Sequence, residues 1–470
     1  LRTILKAVGA TATGLLLGGS ACAAAPRKRY AVVGVGSRAR MFMRAITDDF
    51  RDDNDIVAVC DHNAGRAALA VRTIAATGAS QPRAYSAAQF DTMIRETRPD
   101  YVIVTTVDAT HDDYIVRALD LGCDVITEKP MTTTAAKAQR ILDAVKRSGR
   151  HVRVTFNYRY APPRTQVKDL LMSGEIGDVL SVDFTWLLNT VHGADYFRRW
   201  HSNKARSGGL MIHKATHHFD LVNWWLGAQP ERVHAFGSRQ FYTPQTARRL
   251  GLQGAHERCL TCSEKARCAF YFDLAADAGL KALYLENEKY DGYFRDQCVW
   301  RPEIDIEDTM NVMVRYDNSV QLNYALSAYD AWEGYHIAFN GTKGRLEHRI
   351  VEKVGVAGAN EVQSMSEGVH TRVIPLRGAA RDIEPWVGKG GHGGGDLVML
   401  TEIFGKAPAD KYLRMADERA GAWSCLVGVA ANQCFETGQT VKIADLIKGL
   451  TPPDRPAMPS RTGPLKVKMT

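Results

Sequence analysis

Two features are missing from this sequence of 470 residues. The 60 lysines and arginines outnumber the 52 aspartates and glutamates, but they form no basic block or stripe of the kind that nucleic-acid binders carry. No apolar run is long enough to span a bilayer. We therefore expect no nucleic-acid partner and no stable membrane span, while the length allows two or three domains.

The first 25 residues form a segment of their own. A positively charged start precedes an apolar stretch over residues 7–19, and small residues follow as far as Pro26. This order is typical of a secretory signal, and its opening resembles a twin-arginine signal with leucine in place of the first arginine. We therefore expect a periplasmic or secreted protein. A lipoprotein anchored through Cys22 is the weaker alternative, because the preceding residues fit a lipidation site poorly.

The stretch from Tyr30 to Asp61 has the pattern of strand, tight turn, helix, strand and acid. Gly34 permits a turn that a side chain would prevent, Gly36 lets the backbone approach a pyrophosphate, and Ala39 allows close helix–sheet packing. Asp61 lies 22 positions after Ala39, where a carboxylate can accept both ribose hydroxyls of an adenosine. The pattern predicts a dinucleotide site with the pyrophosphate at a helix N-terminus.

Short strands and helices alternate as far as residue 155, which predicts a doubly wound parallel sheet. Among them are a helix over 90–97, strands over 101–106 and 124–127, and a helix that the threonines at 132–134 cap. Beyond residue 156, alternating polar and apolar residues predict a largely antiparallel sheet, closed by a long helix over 416–436. We therefore divide the chain into a signal segment (1–25), a Rossmann domain (26–155), a C-terminal α/β domain (156–450) with a cysteine-containing insertion (about 240–301), and an irregular tail (451–470).

Two segments carry candidate proton-transfer groups. Lys129, in Glu-Lys-Pro just after a predicted strand, can orient a substrate hydroxyl and lower its pKa. On a single helix, His213, His217 and Asp220 would share one face, and imidazoles titrate near neutral pH. The alternatives are structural histidines bonded to backbone, or a metal site, because His-x3-His with an acid is also a ligand pattern.

Four cysteines lie in the insertion. Such sulfurs hold structural zinc, or form two disulfides in an exported protein. Connectivity cannot be derived from the sequence, and both alternatives stay open. The four are Cys259, Cys262, Cys268 and Cys298.

Taken in order, these motifs resemble the Gfo/Idh/MocA family of glucose–fructose oxidoreductase and inositol dehydrogenase. The resemblance implies a Rossmann domain with NAD or NADP, a C-terminal α/β domain with an open antiparallel sheet, and substrates that are sugars, cyclitols or glycosides. It rests on Gly34-x-Gly36-x-x-Ala39, Asp61, Thr105-Thr106 with His111, Glu128-Lys129-Pro130, and Gly208-Gly209 before His217-His218-Phe219-Asp220.

By resemblance, Lys129 is the catalytic lysine and His217 the catalytic histidine. His213 stands where the family often has an aspartate, so it becomes a third catalytic candidate. Candidate cofactor-binding residues are Gly34, Gly36, Ser37, Arg38, Ala39, Asp61, Thr105, His111, Glu128, Lys129 and Arg159. Position or polarity alone gives the substrate-binding candidates Tyr158, His192, Arg198, Lys214 and His392.

The leading hypothesis is hydride transfer from a ring carbon of a carbohydrate to a tightly held NAD. No arginine adjoins Asp61, which favours NAD, although Arg66 keeps NADP open. The alternatives are an NAD-dependent glycosidase that works by transient oxidation and elimination, and a non-catalytic sugar-binding protein on the same scaffold. An exposed antiparallel sheet face also predicts a homo-oligomer.

Overall fold

The computed structural model describes residues 26–254, 256–352, 367–388 and 391–459. The predicted signal segment and the last part of the predicted tail lie outside these described residues. The strands are β1 (Lys28–Val33), β2 (Asn54–Asp61), β3 (Arg83–Ser86), β4 (Tyr101–Val104), β5 (Asp124–Thr127), β6 (Val152–Val154), β7 (Val179–Asn189), β8 (Pro230–Ser238), β9 (Thr309–Tyr316), β10 (Gln321–Asp330), β11 (Gly334–Gly341), β12 (Gly344–Val351), β13 (Gly368–Pro375), β14 (Arg381–Ile383), β15 (Ala416–Asp417) and β16 (Val441–Lys442).

Helices alternate with the first strands and then connect the later ones. The helices are α1 (Ala39–Arg44), α2 (Ala64–Ala75), α3 (Phe90–Thr97), α4 (His111–Asp120), α5 (Ala135–Ser148), α6 (Pro162–Met172), α7 (Thr190–Arg198), α8 (Lys204–Ser207), α9 (Leu210–His213), α10 (Thr216–Leu226), α11 (Pro244–Arg249), α12 (Ala278–Leu283), α13 (Glu288–Asp291), α14 (Gly395–Phe404) and α15 (Glu418–Thr437).

The first sheet has the order β15-β6-β5-β4-β1-β2-β3. Strands β1 to β6 pair in parallel, and only β15 pairs antiparallel. Its central strands β1, β4 and β5 carry nearly continuous buried apolar runs, as expected for strands with helices on both faces. The predicted doubly wound parallel sheet is therefore confirmed. The helix predicted over 416–436 in fact starts two residues later, at Glu418, and ends at Thr437. Ala416 and Asp417 pair with β6 instead, and the Asp417 side chain caps the helix.

Within the described ranges, the second sheet has nine strands in the order β14-β13-β12-β11-β7-β10-β9-β8-β16. All its pairs are antiparallel except β7 with β10. In β9 and β10 every second residue is buried, as the alternating sequence predicts. The buried face packs against α10 and α15, and this core continues into one face of the first sheet.

Several predicted elements match the structure closely because their ends have local signals. Helix α3 and strand β5 have the predicted bounds. The predicted threonine cap of α5 is Thr134, whose side chain accepts a hydrogen bond from the Lys137 backbone N–H. Among the described residues, no helix combines the length and apolar character needed to cross a bilayer.

Candidate functional site

A single cleft of about 1560 Å³ runs from the carboxyl ends of the first sheet's strands to the rim of the second sheet. Ligands of open parallel sheets bind at this edge. Most of the predicted site residues line the cleft: Gly34, Gly36, Ser37, Arg38, Asp61, Thr105, His111, Glu128, Lys129, Tyr158, His192, His213, Lys214, His217 and His392. Ala39 is buried at the start of α1, beneath the turn.

The glycine turn has the geometry that a dinucleotide needs. Gly34 has φ of 82°, and a Cβ there would lie 2.8 Å from the backbone of Thr105. A Cβ at Gly36 would meet only the Tyr284 hydroxyl, at 3.6 Å, so the backbone there stays open to the cleft. Asp61 is the last residue of β2, and its carboxylate accepts the backbone N–H of Val35 at 2.8 Å. These residues fit NAD, with the turn for its pyrophosphate and Asp61 for its ribose.

Hydrogen bonds on both sides of Lys129 hold the segment that carries it, just after β5. Arg38 Nε donates to Glu128 Oε1 at 2.7 Å, and the Thr155 hydroxyl donates to the same oxygen at 3.0 Å. One ring nitrogen of His111 lies 2.8 Å from the carbonyl oxygen of Pro130. Glu128 and His111 therefore fix the backbone on both sides of the lysine.

Lys129 is a half-buried ammonium inside the cleft. Its Nζ donates to the carbonyl oxygen of His213 at 3.0 Å. Burial lowers the pKa of Lys129 to about 8, although the nearby carboxylates of Asp108 and Glu128 oppose that change. A lysine with such a pKa is charged at neutral pH and can hold a substrate oxygen.

His217 lies beside Lys129, and its ring stacks on the Tyr158 ring with centroids 4.1 Å apart. The Tyr158 hydroxyl accepts a hydrogen bond from Lys214 Nζ at 3.1 Å. Burial, with the charge of Lys129, lowers the pKa of His217 well below its usual value, so the imidazole is neutral and able to accept a proton. Its Nδ1 is buried with no hydrogen-bond partner among the described residues.

The predicted single helix through His213 and His217 is wrong. Helix α9 ends at His213, and α10 begins at Thr216 after a break. Every residue of α10 is buried, so no polar stripe emerges from it. Asp220 instead accepts from both Arg159 Nε and Nη2, at 2.7 and 2.6 Å. Neither residue lines the cleft, so Arg159 is a structural partner of Asp220 in this fold rather than a neighbour of the cofactor turn.

His213 has a partner that the sequence did not reveal. Its Nδ1 lies 2.5 Å from the Asp108 carboxylate, and its ring is 4.1 Å from the ring of His201. Burial raises the pKa of Asp108 well above its usual value, and burial lowers that of His213. Asp108 follows the end of the predicted strand, at Thr106, by two residues, and that position was the only available signal.

The substrate-binding candidates divide into two groups. His192 lies in the cleft between Glu333 and Tyr196, with its two ring nitrogens 2.9 Å from a Glu333 oxygen and 2.9 Å from the Tyr196 hydroxyl. His392 also lines the cleft and pairs with Asp396 at 2.8 Å. Arg198 lies elsewhere: it donates to the carbonyl oxygen of Phe270 in the insertion at 3.0 Å.

The four insertion cysteines line one small cavity of about 20 Å³. All are free thiols in the structure, and burial raises the pKa of Cys259 to about 11. Across the described part of the chain, no three histidine, cysteine, aspartate or glutamate side chains are placed to hold a metal ion. The structure thus groups the cysteines together, and zinc or disulfides stay as predictions for chemical measurement.

Comparison with known proteins gives two family matches. Residues 28–156 match the oxidoreductase-family model described as an NAD-binding Rossmann fold, and residues 168–443 match the model of that family's C-terminal alpha/beta domain. The protein YteT of Bacillus subtilis, which is named as an oxidoreductase, is 38% identical over 411 residues, covering 85% of this chain and 94% of YteT. An inositol 2-dehydrogenase of Salmonella typhimurium is 29% identical over 210 residues, 44% of this chain and 57% of that enzyme.

A solved structure shows the same fold. The aldose-aldose oxidoreductase of Caulobacter crescentus, complexed with glycerol, superposes with a TM-score of 0.58 at 18% identity, covering 88% of this chain and 99% of that one. Two domain matches in the expected order, over most of the chain, agree with the glycine turn, Asp61 and the cleft described above. This chain therefore belongs to the Gfo/Idh/MocA family of NAD-binding oxidoreductases.

Proposed function

We propose that this protein oxidises a hydroxyl group on a sugar, cyclitol or glycoside ring by hydride transfer to NAD. The observation that carries the proposal is the meeting of Lys129 and His217 in the cleft that also holds the glycine turn and Asp61. An ammonium and a neutral imidazole beside a dinucleotide site are the groups that alcohol oxidation requires.

Each residue has a distinct role in this proposal. Lys129 holds the reacting hydroxyl oxygen and, through its charge, lowers the pKa of that hydroxyl. His217 accepts the hydroxyl proton, which a neutral imidazole can do and an imidazolium cannot. Bound NAD supplies the acceptor for the hydride. The stack of His217 on Tyr158 fixes the plane of the imidazole, so the proton acceptor is held in one orientation.

We assign the Asp108–His213 pair to positioning. By resemblance, the family often has an aspartate at the place of His213, so this chain would have moved the carboxylate to Asp108 and inserted an imidazole. The carbonyl oxygen of His213 receives the Lys129 ammonium, and the 2.5 Å contact with Asp108 holds the residue that carries it. The charge of Asp108 raises the pKa of Lys129. Asp108→Asn should therefore lower that pKa and shift the fall of kcat/KM to lower pH.

A ring with several hydroxyl groups fits the rest of the cleft. Tyr158 and Trp200 give aromatic surface for a ring face, while His192 and Lys214 give hydrogen-bonding groups around it. Such a mixture of aromatic surface and directed polar groups favours a carbohydrate. The similarity to an inositol 2-dehydrogenase supports the same substrate class.

The test uses the reduction of bound or added NAD by a panel of aldoses, cyclitols and glycosides. We expect at least one of them to produce reduced nicotinamide with the wild-type protein. Lys129→Ala and His217→Ala should each lower kcat by about 100- to 10,000-fold while NAD still binds. Near-normal turnover in both variants would remove this site assignment.

A second candidate function is redox-neutral cleavage of a glycoside. The Glu333–His192–Tyr196 chain favours it, because a second proton-transfer group at a distance from the hydride site can serve the elimination that follows transient oxidation. This reaction would release free sugar without net reduction of NAD, and the carbon beside the oxidised position would take up solvent deuterium. Stoichiometric reduced nicotinamide without such exchange would favour net oxidation. Sugar binding without nucleotide or turnover would favour the non-catalytic alternative.

We also propose that the cofactor is retained and that the protein is exported after folding around it. The signal-like order of residues 1–25 supports export. Retention is supported by the insertion, whose Tyr284 hydroxyl accepts the backbone N–H of Ser37 at 3.2 Å and so contacts the glycine turn. We expect protein recovered from the cell envelope or medium to keep its nucleotide through dialysis. Nucleotide-free protein confined to the cytoplasm would contradict this proposal.

The outer face of the second sheet supports a homo-oligomer. Phe236 and Met313, on the neighbouring strands β8 and β9, are 66% and 54% exposed. Exposed apolar side chains on an uncovered sheet face are typical of association surfaces. We expect light scattering to give a multiple of the chain mass, and Phe236→Arg with Met313→Arg to lower that multiple. A monomeric wild-type protein would contradict the proposal.

A further inference from the structure

The cysteine-containing insertion packs against the part of the first domain that would hold the adenosine of NAD. Besides the contact between Tyr284 and the glycine turn, the Asn63 side chain donates to the carbonyl oxygen of Asn287 at 2.9 Å. A Cβ on Gly65 would overlap the Asn287 side chain, so the insertion sits directly on the start of α2. The segment from Tyr284 to Asp291 therefore forms a wall of the cofactor cleft.

Asp291 brings a second carboxylate to the ribose-binding corner. Its Oδ2 lies 2.6 Å from Arg66 Nη2 and 3.1 Å from His62 Nε2, while the same Arg66 nitrogen is 3.4 Å from Asp61. The Arg66 side chain is 7% exposed. Although burial alone would raise the pKa of Asp291, the hydrogen bond from Asn63 and the charge of Arg66 hold it below its usual value, so the carboxylate is charged at neutral pH.

We infer that Asp291 makes the protein select NAD over NADP, an inference that rests on the proposed NAD-dependent function. In NADP-binding Rossmann domains an arginine near the ribose accommodates the 2′-phosphate. Arg66 is the arginine in that position here, and two carboxylates occupy it. A phosphate carrying nearly two negative charges would have to displace Asp291 from Arg66 and would then face Asp61 and Asp291 together.

Two distant parts of the chain then define one cofactor specificity. Asp61 is the acid that the strand–turn–helix pattern predicts, and its 3.4 Å contact with Arg66 is the longer of the two carboxylate contacts. Asp291 is contributed by the insertion, 230 positions later in the chain. Loss of its charge would remove the closer carboxylate from Arg66 without changing the glycine turn or Asp61.

The experiment is competition between NAD and NADP for the purified full-length protein, with bound nucleotide separated and identified by mass. Wild-type protein should hold NAD. Asp291→Asn should raise the affinity for NADP relative to NAD by about 10- to 100-fold, the range of one charge-assisted hydrogen bond. Adding Arg66→Gln to Asp291→Asn should remove that gain, because the freed guanidinium would no longer be there to bind the phosphate.

Glu286→Gln is the matched control, since Glu286 is an exposed acid in the same segment; its NADP-to-NAD ratio should equal that of the wild type. A folded Asp291→Asn protein with an unchanged ratio would overturn the inference, as would wild-type protein that holds NADP. If Asp291→Asn fails to fold, Asp291→Ser gives the same comparison. Wild-type protein that binds neither nucleotide would count against the proposed function itself.

Discussion

Replacing Lys129 with methionine should change stability in a way that depends on pH. Burial lowers the pKa of Lys129 from 10.5 to about 8, and each pKa unit corresponds to about 1.4 kcal/mol. The folded protein therefore carries a penalty of about 3 kcal/mol for the buried ammonium, present below pH 8 and lost as pH rises towards the unfolded pKa. The sign follows because, between those two pKa values, the unfolded chain binds the proton and the folded chain does not.

Methionine cannot be charged, so Lys129→Met removes this pH dependence. It also leaves the His213 carbonyl without its donor, a loss of about 1–3 kcal/mol at all pH values. The quantity to compare is therefore the free energy of unfolding of the variant minus that of the wild type. This difference should fall by about 2–3 kcal/mol between pH 7 and pH 10. Urea unfolding followed by tryptophan fluorescence, with the same excess of NAD in every sample, measures it.

Lys146→Met is the control, because Lys146 is an exposed lysine at the end of α5; its difference from wild type should not change with pH. A difference for Lys129→Met that is the same at both pH values would contradict this prediction, because it would mean that Lys129 titrates as a solvated lysine does. Turnover by Lys129→Met should be lost at every pH, which separates the effect on stability from the effect on catalysis.

In wild-type protein, kcat/KM should fall about tenfold per pH unit above pH 8 as Lys129 loses its proton, and a flat profile would contradict its role. Asp220→Ala should lower the free energy of unfolding by about 3–5 kcal/mol, because it leaves the buried Arg159 guanidinium without its carboxylate partner. Urea titration measures the loss, and a change under about 1 kcal/mol would contradict the prediction. Cys259→Ser should loosen the insertion and speed NAD release in a dilution assay, while metal analysis and thiol counting on the wild-type protein distinguish zinc from disulfides.

Local signals explain what the sequence could predict. The glycine turn, the strand β5 and the cap at Thr134 each depend on residues close in the chain, and these predictions were confirmed. The break between α9 and α10 has no such signal. Residues 213–226 keep helical spacing through it, and the interruption becomes visible only in the structure, where the His213 carbonyl receives Lys129.

Long-range contacts explain what the sequence could not predict. Asp108 and His213 are separated by 105 positions, so neither identifies the other without the fold. Arg159 and Asp220 attract attention as polar residues near the motifs, yet their charges neutralise each other in the core. Asp291 lies in the insertion, where the cysteines are the more conspicuous feature. Residue type alone does not distinguish a group that faces the cleft from one that satisfies a buried partner.

Hydride transfer through Lys129 and His217 is tested most directly by the absorbance of reduced nicotinamide on the purified protein after mixing with the panel of aldoses, cyclitols and glycosides. We expect at least one compound to reduce the cofactor, transiently or stoichiometrically, and Lys129→Met and His217→Ala to keep NAD but give no reduction. Reduction at wild-type rates in both variants, or no reduction by any compound in a protein that holds NAD, would contradict it.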